Sequence, residues 1–247
     1  MRNPKISIVT VCFNVVTEIE KTILSVINQS YPNIEYIIED GGSTDGTLDF
    51  VEKYRSQISA VYIEKDKGVF DAMNKAIFRT TGEWILFMNA GDKFHDNNVV
   101  AEIFRMGVSH NIGVIHGDVC FVGKNGLQYY RSSPFYLRKG IRPMGICHQS
   151  LFVRTRLAKT YLFDLTFKYA ADYNMMMQIY KKGFEFKYMP IAVSDYDLTG
   201  ISSKHLISQY KEVARICGIT SGIKYYIGLF FVGKRKIKRF IKGLLIH

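Results

Sequence analysis

Trp84-Ile85-Leu86-Phe87-Met88-Asn89-Ala90-Gly91-Asp92-Lys93-Phe94 is the stretch whose reading decides the fold. An apolar run of strand length stops abruptly at a polar, glycine-containing cluster. Three earlier runs end the same way. The β-branched Ile6-Ser7-Ile8-Val9-Thr10-Val11 runs into Cys12-Phe13-Asn14, and Ile34-Glu35-Tyr36-Ile37-Ile38-Glu39 runs into Asp40-Gly41-Gly42. Ala60-Val61-Tyr62-Ile63 runs into Glu64-Lys65-Asp66-Lys67-Gly68. Helical patterns lie between them. Ile19, Ile23, Val26 and Ile27 share one helical face behind Thr17 and Glu20, which have capping-box spacing. Leu48, Val51 and Tyr54 mark a second helix, and residues 69–80 a third, with Gly82 as its C′ residue. Strands alternating with helices read as βαβ units around a mostly parallel sheet, and such sheets bind ligands at the carboxyl ends of their strands. The four polar clusters are therefore expected to meet in one site.

Beyond residue 112 the pattern changes. Residues 114–122 and 127–130 read as a hairpin around a four-residue loop, Gly123-Lys124-Asn125-Gly126. A strand near residues 150–153, a helix over 171–182 and a strand over 186–193 follow.

Composition narrows the class. With 47% hydrophobic and 22% charged residues, the chain has an ordinary globular balance. The formal charge of +11 is uneven: residues 224–242 hold seven lysines and arginines, and removing them leaves +4. Cys12, Cys120, Cys147 and Cys217 form no CxxC pair, which argues against a zinc site and a disulfide framework. The start of the chain has no secretory pattern, and no apolar run reaches the roughly 18 residues of a spanning helix. A cytoplasmic protein is expected, attached peripherally to the inner face of the cell membrane. That attachment is read from residues 222–247. Ile237, Phe240, Ile241, Leu244 and Leu245 share one helical face, and Lys234, Arg235, Lys238, Arg239 and Lys242 fill the other. This basic amphipathic segment, preceded by apolar residues 225–232, suits an anionic membrane surface. Nucleic acid is a poorer partner, because the aromatics lie on the apolar side rather than interleaved for stacking on bases.

Asp40-Gly41-Gly42-Ser43-Thr44-Asp45-Gly46 follows a strand and opens a helix. Its glycines let backbone approach a ligand, and a helix N-terminus favours anions. It is neither a Walker loop nor GxGxxG. Asp45 is expected to be a helix cap, whereas Asp40 sits earlier, at the strand end.

Four segments, in order, carry a resemblance: residues 8–14 (IVTVCFN), 37–47 (IIEDGGSTDGT), 66–76 (DKGVFDAMNKA) and 82–92 (GEWILFMNAGD). Together they resemble the nucleotide-sugar half of family 2 inverting glycosyltransferases, densely over residues 5–95 and more thinly to about 203. The resemblance implies an α/β GT-A fold, a mostly parallel Rossmann-like sheet flanked by helices, with the amphipathic helical tail appended. It divides the chain into a nucleotide-sugar half (1–111), an acceptor and catalytic half of the same domain (112–203) and the tail (204–247). It also implies nucleotide contacts at Thr10, Phe13, Asn14, Asp40 and Asp66, the last through a carboxylate able to accept the uracil imide N–H. Family members commonly carry Asp-x-Asp where this chain has Asn89-Ala90-Gly91-Asp92. The resemblance therefore assigns Asp92 to a Mg²⁺ or Mn²⁺ ion, and Asn89, Ala90 and Gly91 to the sugar and diphosphate. His148, in Cys147-His148-Gln149-Ser150, joins that set. Gly200-Ile201-Ser202-Ser203 is expected to close over the diphosphate. Asp172, opening a helix before Tyr173 and a methionine run, is the implied catalytic base. The expected reaction moves a hexose or N-acetylhexosamine from a UDP-sugar to a lipid-linked saccharide acceptor in surface polysaccharide or O-antigen assembly. The competing classes are a nucleotidyltransferase acting on sugar phosphates and a non-catalytic membrane-associated partner on a transferase fold.

Overall fold

The computed structural model describes residues 3–105, 107–123, 126–130, 146–197, 205–223 and 225–233. The expected diphosphate-closing segment 200–203 and the basic stretch from Lys234 lie outside them.

The first half alternates as anticipated. β1 (Ile6–Cys12), β2 (Ile34–Asp40), β3 (Ala60–Ile63) and β4 (Trp84–Phe87) are joined by α1 (Ile19–Ile27), α2 (Thr47–Lys53) and α3 (Val69–Arg79). All three pairings within this group are parallel, as helical crossovers require. Successive strand residues point to opposite faces. Ile6, Ile8, Tyr36, Ile38, Trp84 and Leu86 pack with α1 and α2, while Val9, Val11, Ile37, Ile85 and Phe87 pack with α3.

The second half is mixed. It contains β5 (Lys93–Phe94), α4 (Val99–Phe104), β6 (Ile112–Gly123), β7 (Gly126–Tyr130), β8 (Leu151–Arg154), α5 (Thr155–Tyr161), α6 (Ala171–Lys181), β9 (Glu185–Asp197) and α7 (Leu206–Ile216). The sheet runs β3-β2-β1-β4-β8-β6-β9-β5, with β7 on β6. β8 enters antiparallel to both β4 and β6, and β5 antiparallel to β9, so the mostly parallel expectation holds for the first half only.

Three local expectations are corrected. Glu20 closes no capping box. Its Oε1 accepts from Lys53 Nζ and Tyr54 OH, both at 2.8 Å, which ties α1 to the end of α2. Gly82 is not a helix C′ residue. α3 ends at Arg79, and Gly82 lies against β1, where a Cβ would stand 2.6 Å from the Ser7 nitrogen. In the hairpin, Gly123 and Gly126 pair with each other in the ladder, leaving two residues between the strands rather than a four-residue loop.

Candidate active site

The β2 end was expected to present Asp40 to a nucleotide. Instead its carboxylate is fully buried and accepts four hydrogen bonds. Oδ1 takes the N–H of Gly42 (2.9 Å) and Ser43 (2.7 Å), and Oδ2 takes the Ser43 hydroxyl (2.6 Å) and the Cys12 thiol (3.3 Å). Asp40 shapes the loop through these bonds. Thr10 is placed similarly. It is buried, and its hydroxyl donates to the Met88 carbonyl at 2.8 Å with Tyr36 OH 3.0 Å away, bracing β1 against β4. Asn14 is exposed, has φ +50°, and accepts the Thr44 N–H through Oδ1 at 2.9 Å. Asp45 was expected to cap α2, but the N-cap residue is Gly46; Asp45 stands one position earlier, where its Oδ1 accepts the Thr47 N–H at 3.0 Å.

Next to this loop, Phe13 is exposed, Asp66 is half-buried and Gly41 is buried between them. The Phe13 ring is 57% exposed. A Cβ on Gly41 would lie 2.6 Å from Asp66 Oδ2 and 3.2 Å from the Phe13 ring, so glycine alone lets both side chains close over this backbone. Asp66 Oδ1 accepts the Gly68 N–H at 2.7 Å, which fixes the carboxylate. The result is a half-buried carboxylate and an exposed aromatic side chain packed over the main chain at Gly41.

The second cluster follows from the direction of β8. Its pairing aligns Trp84 with Arg154 and Ile85 with Val153. Continued along both strands, that register sets Asn89 against Gln149, just before β8. The side chains bear this out. Asn89 Nδ2 lies 3.2 Å from His148 Nε2, and Gln149 Nε2 donates to Asp92 Oδ2 at 3.0 Å. With Asn89 donating, His148 carries its proton on Nδ1, and that atom lies 3.5 Å from Asp172 Oδ2. A chain of contacts thus runs from Asn89 through His148 to Asp172, with Asp92 one residue along at Gln149. Cys147 sits in the same field. Burial, then the negative charges of Asp172 and Asp92, push its thiol up to about 12, so it is no nucleophile at neutral pH.

Asp92 is only 7% exposed, and its loop is pinned from α1: the Thr22 hydroxyl donates to Asp92 O at 2.6 Å and accepts the Gly91 N–H at 3.0 Å. Gly91 has φ +99°, which only glycine adopts without strain. The Ala90 N–H faces Val11 O at 3.5 Å. Asn89 Oδ1 is a buried oxygen with no hydrogen-bond partner among the described residues. Such an atom is costly unless something meets it, and a neutral oxygen beside a carboxylate is the donor set a hard divalent cation uses.

Asp172 lies in the first turn of α6, where the helix dipole favours its charge. Glu212, on α7, holds that helix start in place, accepting the N–H groups of Lys168, Tyr169 and Ala170 at 2.8–2.9 Å. The methionines behind Asp172 are core: Met175 and Met176 pack against α3 and α5, and Met177 against α7. Gln149, Glu212 and Gly41 were not singled out from sequence. Gln149 stood inside a quoted motif, but its partner is 57 positions away. One further grouping, His95, Cys120 and Asp195, brings its donor atoms within 4.8 Å of one another. Asp195 there already meets Lys93 Nζ at 3.0 Å and His95 Nδ1 at 2.7 Å, so an ammonium occupies the cation's place.

Several known proteins resemble this chain in sequence and fold. A glycosyltransferase of PGL/p-HBAD biosynthesis from Mycobacterium tuberculosis (strain ATCC 25177 / H37Ra) is 26% identical over 215 residues, covering 85% of this chain and 83% of the relative. The putative teichuronic acid biosynthesis glycosyltransferase TuaG of Bacillus subtilis is 36% identical over 103 residues, 40% of this chain and 41% of TuaG. Among solved structures, S. aureus TarS 1-349 in complex with UDP-GlcNAc superposes with a TM-score of 0.69 at 20% identity, covering 87% of this chain and 66% of that one. The mannosyltransferase PcManGT from Pyrobaculum calidifontis, in complex with GDP-Man and Mn²⁺, has a TM-score of 0.69 at 14% identity, covering 94% and 70%. These likenesses establish the GT-A fold. The family model described as Glycosyl transferase family 2 matches residues 7–182, and the chain belongs to that family of glycosyltransferases.

Proposed function

We propose that this enzyme transfers a hexose or N-acetylhexosamine from a UDP-sugar to a hydroxyl of a lipid-linked saccharide, in the assembly of a bacterial surface polysaccharide. One observation carries the reading: the contacts joining Asn89, His148 and Asp172, with Asp92 beside them at Gln149, bring a base and a leaving-group site into one cluster. The relatives named for PGL/p-HBAD and teichuronic acid biosynthesis support the polysaccharide setting. The TarS complex supports a UDP donor.

The uracil is held between the Phe13 face and Asp66, with Asp66 accepting the imide N–H and Asn14 at the edge. Asp40 and Thr10 act from behind, by fixing the loop and the strand. Asn89 Oδ1 and Asp92 are the oxygens that would hold Mg²⁺ or Mn²⁺, and such a cation, when bound, neutralises charge developing on the departing diphosphate. Asp172 takes the proton of the acceptor hydroxyl as its oxygen forms the new bond to the anomeric carbon. The bond from that carbon to the UDP oxygen breaks, and UDP leaves from the opposite face, inverting the centre. His148 steadies the Asp172 carboxylate from its Nδ1 side.

Titration of UDP with and without Mn²⁺ tests the leaving-group half. Metal-dependent binding by the wild type that is lost in Asp92→Ala is expected; equal, metal-independent binding in both would make Asp92 a loop acid only. Asp172→Asn tests the other half. Transfer should fall by roughly 10²–10⁴-fold with UDP binding retained, and near-normal transfer would remove Asp172 from the role of base.

A further inference from the structure

The search for what lies outside this site leads to the end of the described chain. α7 packs on α6 through Val213, with Tyr210 buried alongside. The chain then turns at Gly218 and Gly222, both at positive φ, and residues 225–233 return as a helix. Two contacts seat that helix. The Tyr210 hydroxyl donates to the Tyr225 carbonyl at 3.0 Å, and Gly228 lies so close to the Tyr210 ring that any Cβ there would collide with it. Tyr225 and Gly228 therefore face the protein.

The opposite face carries Ile223, Tyr226, Ile227, Phe230 and Phe231, between 50% and 76% exposed. Their spacing is i, i+3, i+4, i+7, i+8, a single stripe along one helix. Of the eleven large hydrophobic side chains exposed among the described residues, five belong to this stripe, so it is a concentrated patch rather than ordinary surface scatter.

Charge decides what covers it. No Asp or Glu follows Glu212, whereas Lys224, Lys234, Arg235, Lys236, Lys238, Arg239 and Lys242 do. A second copy of the chain would bring two strongly cationic stretches together. An anionic bilayer surface satisfies both features: its headgroups meet the lysines and arginines, and its interfacial zone accepts tyrosine and phenylalanine side chains. Spanning is not at issue, since no helix among the described residues is long and apolar enough to cross a membrane.

We infer that the stripe Ile223, Tyr226, Ile227, Phe230 and Phe231 docks the enzyme flat on an anionic membrane, with the basic residues that follow it reading the headgroup charge. This deepens the reading of the acceptor as lipid-borne and rests on it for its biological sense, but the two are tested separately.

The experiment is co-sedimentation of the full chain with phosphatidylcholine vesicles, with and without phosphatidylglycerol, with UDP titration and thermal melting run alongside. The wild type should pellet with phosphatidylglycerol present, and high salt should release it. The triple variant Tyr226→Ser, Phe230→Ser, Phe231→Ser should lose roughly a hundredfold or more in partitioning, with its UDP affinity and melting temperature unchanged. A second variant, Lys234→Gln, Arg235→Gln, Lys238→Gln, leaves the stripe intact and should lose the preference for phosphatidylglycerol. Wild type that stays in the supernatant with anionic vesicles overturns the inference. So does a serine variant that keeps its fold and still pellets, or light scattering that finds a wild-type dimer made monomeric by the serines with vesicle binding unaltered. If the wild type pellets but binds no UDP, the donor reading fails and the membrane inference stands.

Discussion

The two halves of the sheet use carboxylates in opposite ways. In the parallel half, Asp40 and Glu35 are buried within dense sets of donors and shape the backbone around them. In the mixed half, Asp92 and Asp172 meet side chains from distant segments and leave an orphaned oxygen, Asn89 Oδ1, beside them. One half builds a rigid frame, and the other gathers polar side chains from segments far apart in the sequence. An acid at a strand end is thus no guide to function until its hydrogen-bond donors are counted.

The contrast can be broken most sharply at Asp40. Asp40→Ala would strand two backbone N–H groups, a hydroxyl and a thiol in a buried place, at a cost of about 3–5 kcal/mol in chemical denaturation. A loss confined to UDP affinity, with stability intact, would return Asp40 to the nucleotide.

Glu35 sharpens the same point through pH. Burial alone would raise its pKa, but hydrogen bonds from Ser7, Thr81 and Lys5 outweigh that and hold the carboxyl at about 2, against 4.5 ordinarily. A depressed folded pKa gives stability that is complete above the ordinary value and drains away as pH falls from there toward 2. That contribution is about 2–3 kcal/mol. Unfolding measured from pH 6 down to pH 2 should lose it in the wild type, and Glu35→Gln should flatten the slope over that window.

Gln149→Ala probes the mixed half, where the expected damage is to function. It frees Asp92 Oδ2 from its orienting donor and should weaken Mn²⁺-dependent UDP binding roughly 10–100-fold. An equal loss in UDP binding measured without metal would show that Gln149 serves the loop as a whole. The smallest effect is expected at Asn74, whose amide pairs with both the N–H and the carbonyl of Phe163 at 2.8 Å and so joins α3 to the loop after α5. Asn74→Ala should cost about 1–2 kcal/mol and lower transfer only modestly; a loss of UDP binding would give Asn74 a place in the donor site instead.

Much of the first half was legible because its signals are local. Alternating strands and helices, polar clusters at strand ends and glycine-rich turns depend on neighbours a few positions apart, and the apolar runs of β1, β2 and β4 required burial on both faces. Local signals misled where they had competitors. Thr17 and Glu20 have the spacing of a capping box, yet Lys53 and Tyr54 offered Glu20 better partners. Gly82 stood where a helix cap belongs, yet the close approach of β1 is what requires it. Asn74 had no local partner to betray it.

The sequence by itself determined the parallel frame, the membership of Asp66, Asn89, Asp92, His148 and Asp172 in one family pattern, and the basic end of the chain. The frame follows from short-range periodicity and the basic end from composition, while the five residues are grouped by what the family resemblance implies. Only the tertiary structure decided that β8 runs antiparallel to β4, and that one direction carries His148 to Asn89 and Gln149 to Asp92. It alone showed the Asp40 carboxylate buried among four donors and the Asp66 carboxylate half-buried, and found Glu212 holding the start of the Asp172 helix. The physical reason is common to all of these. A hydrogen bond between residues tens of positions apart is chosen by which strands become neighbours and in which direction, and no spacing along the chain records that choice.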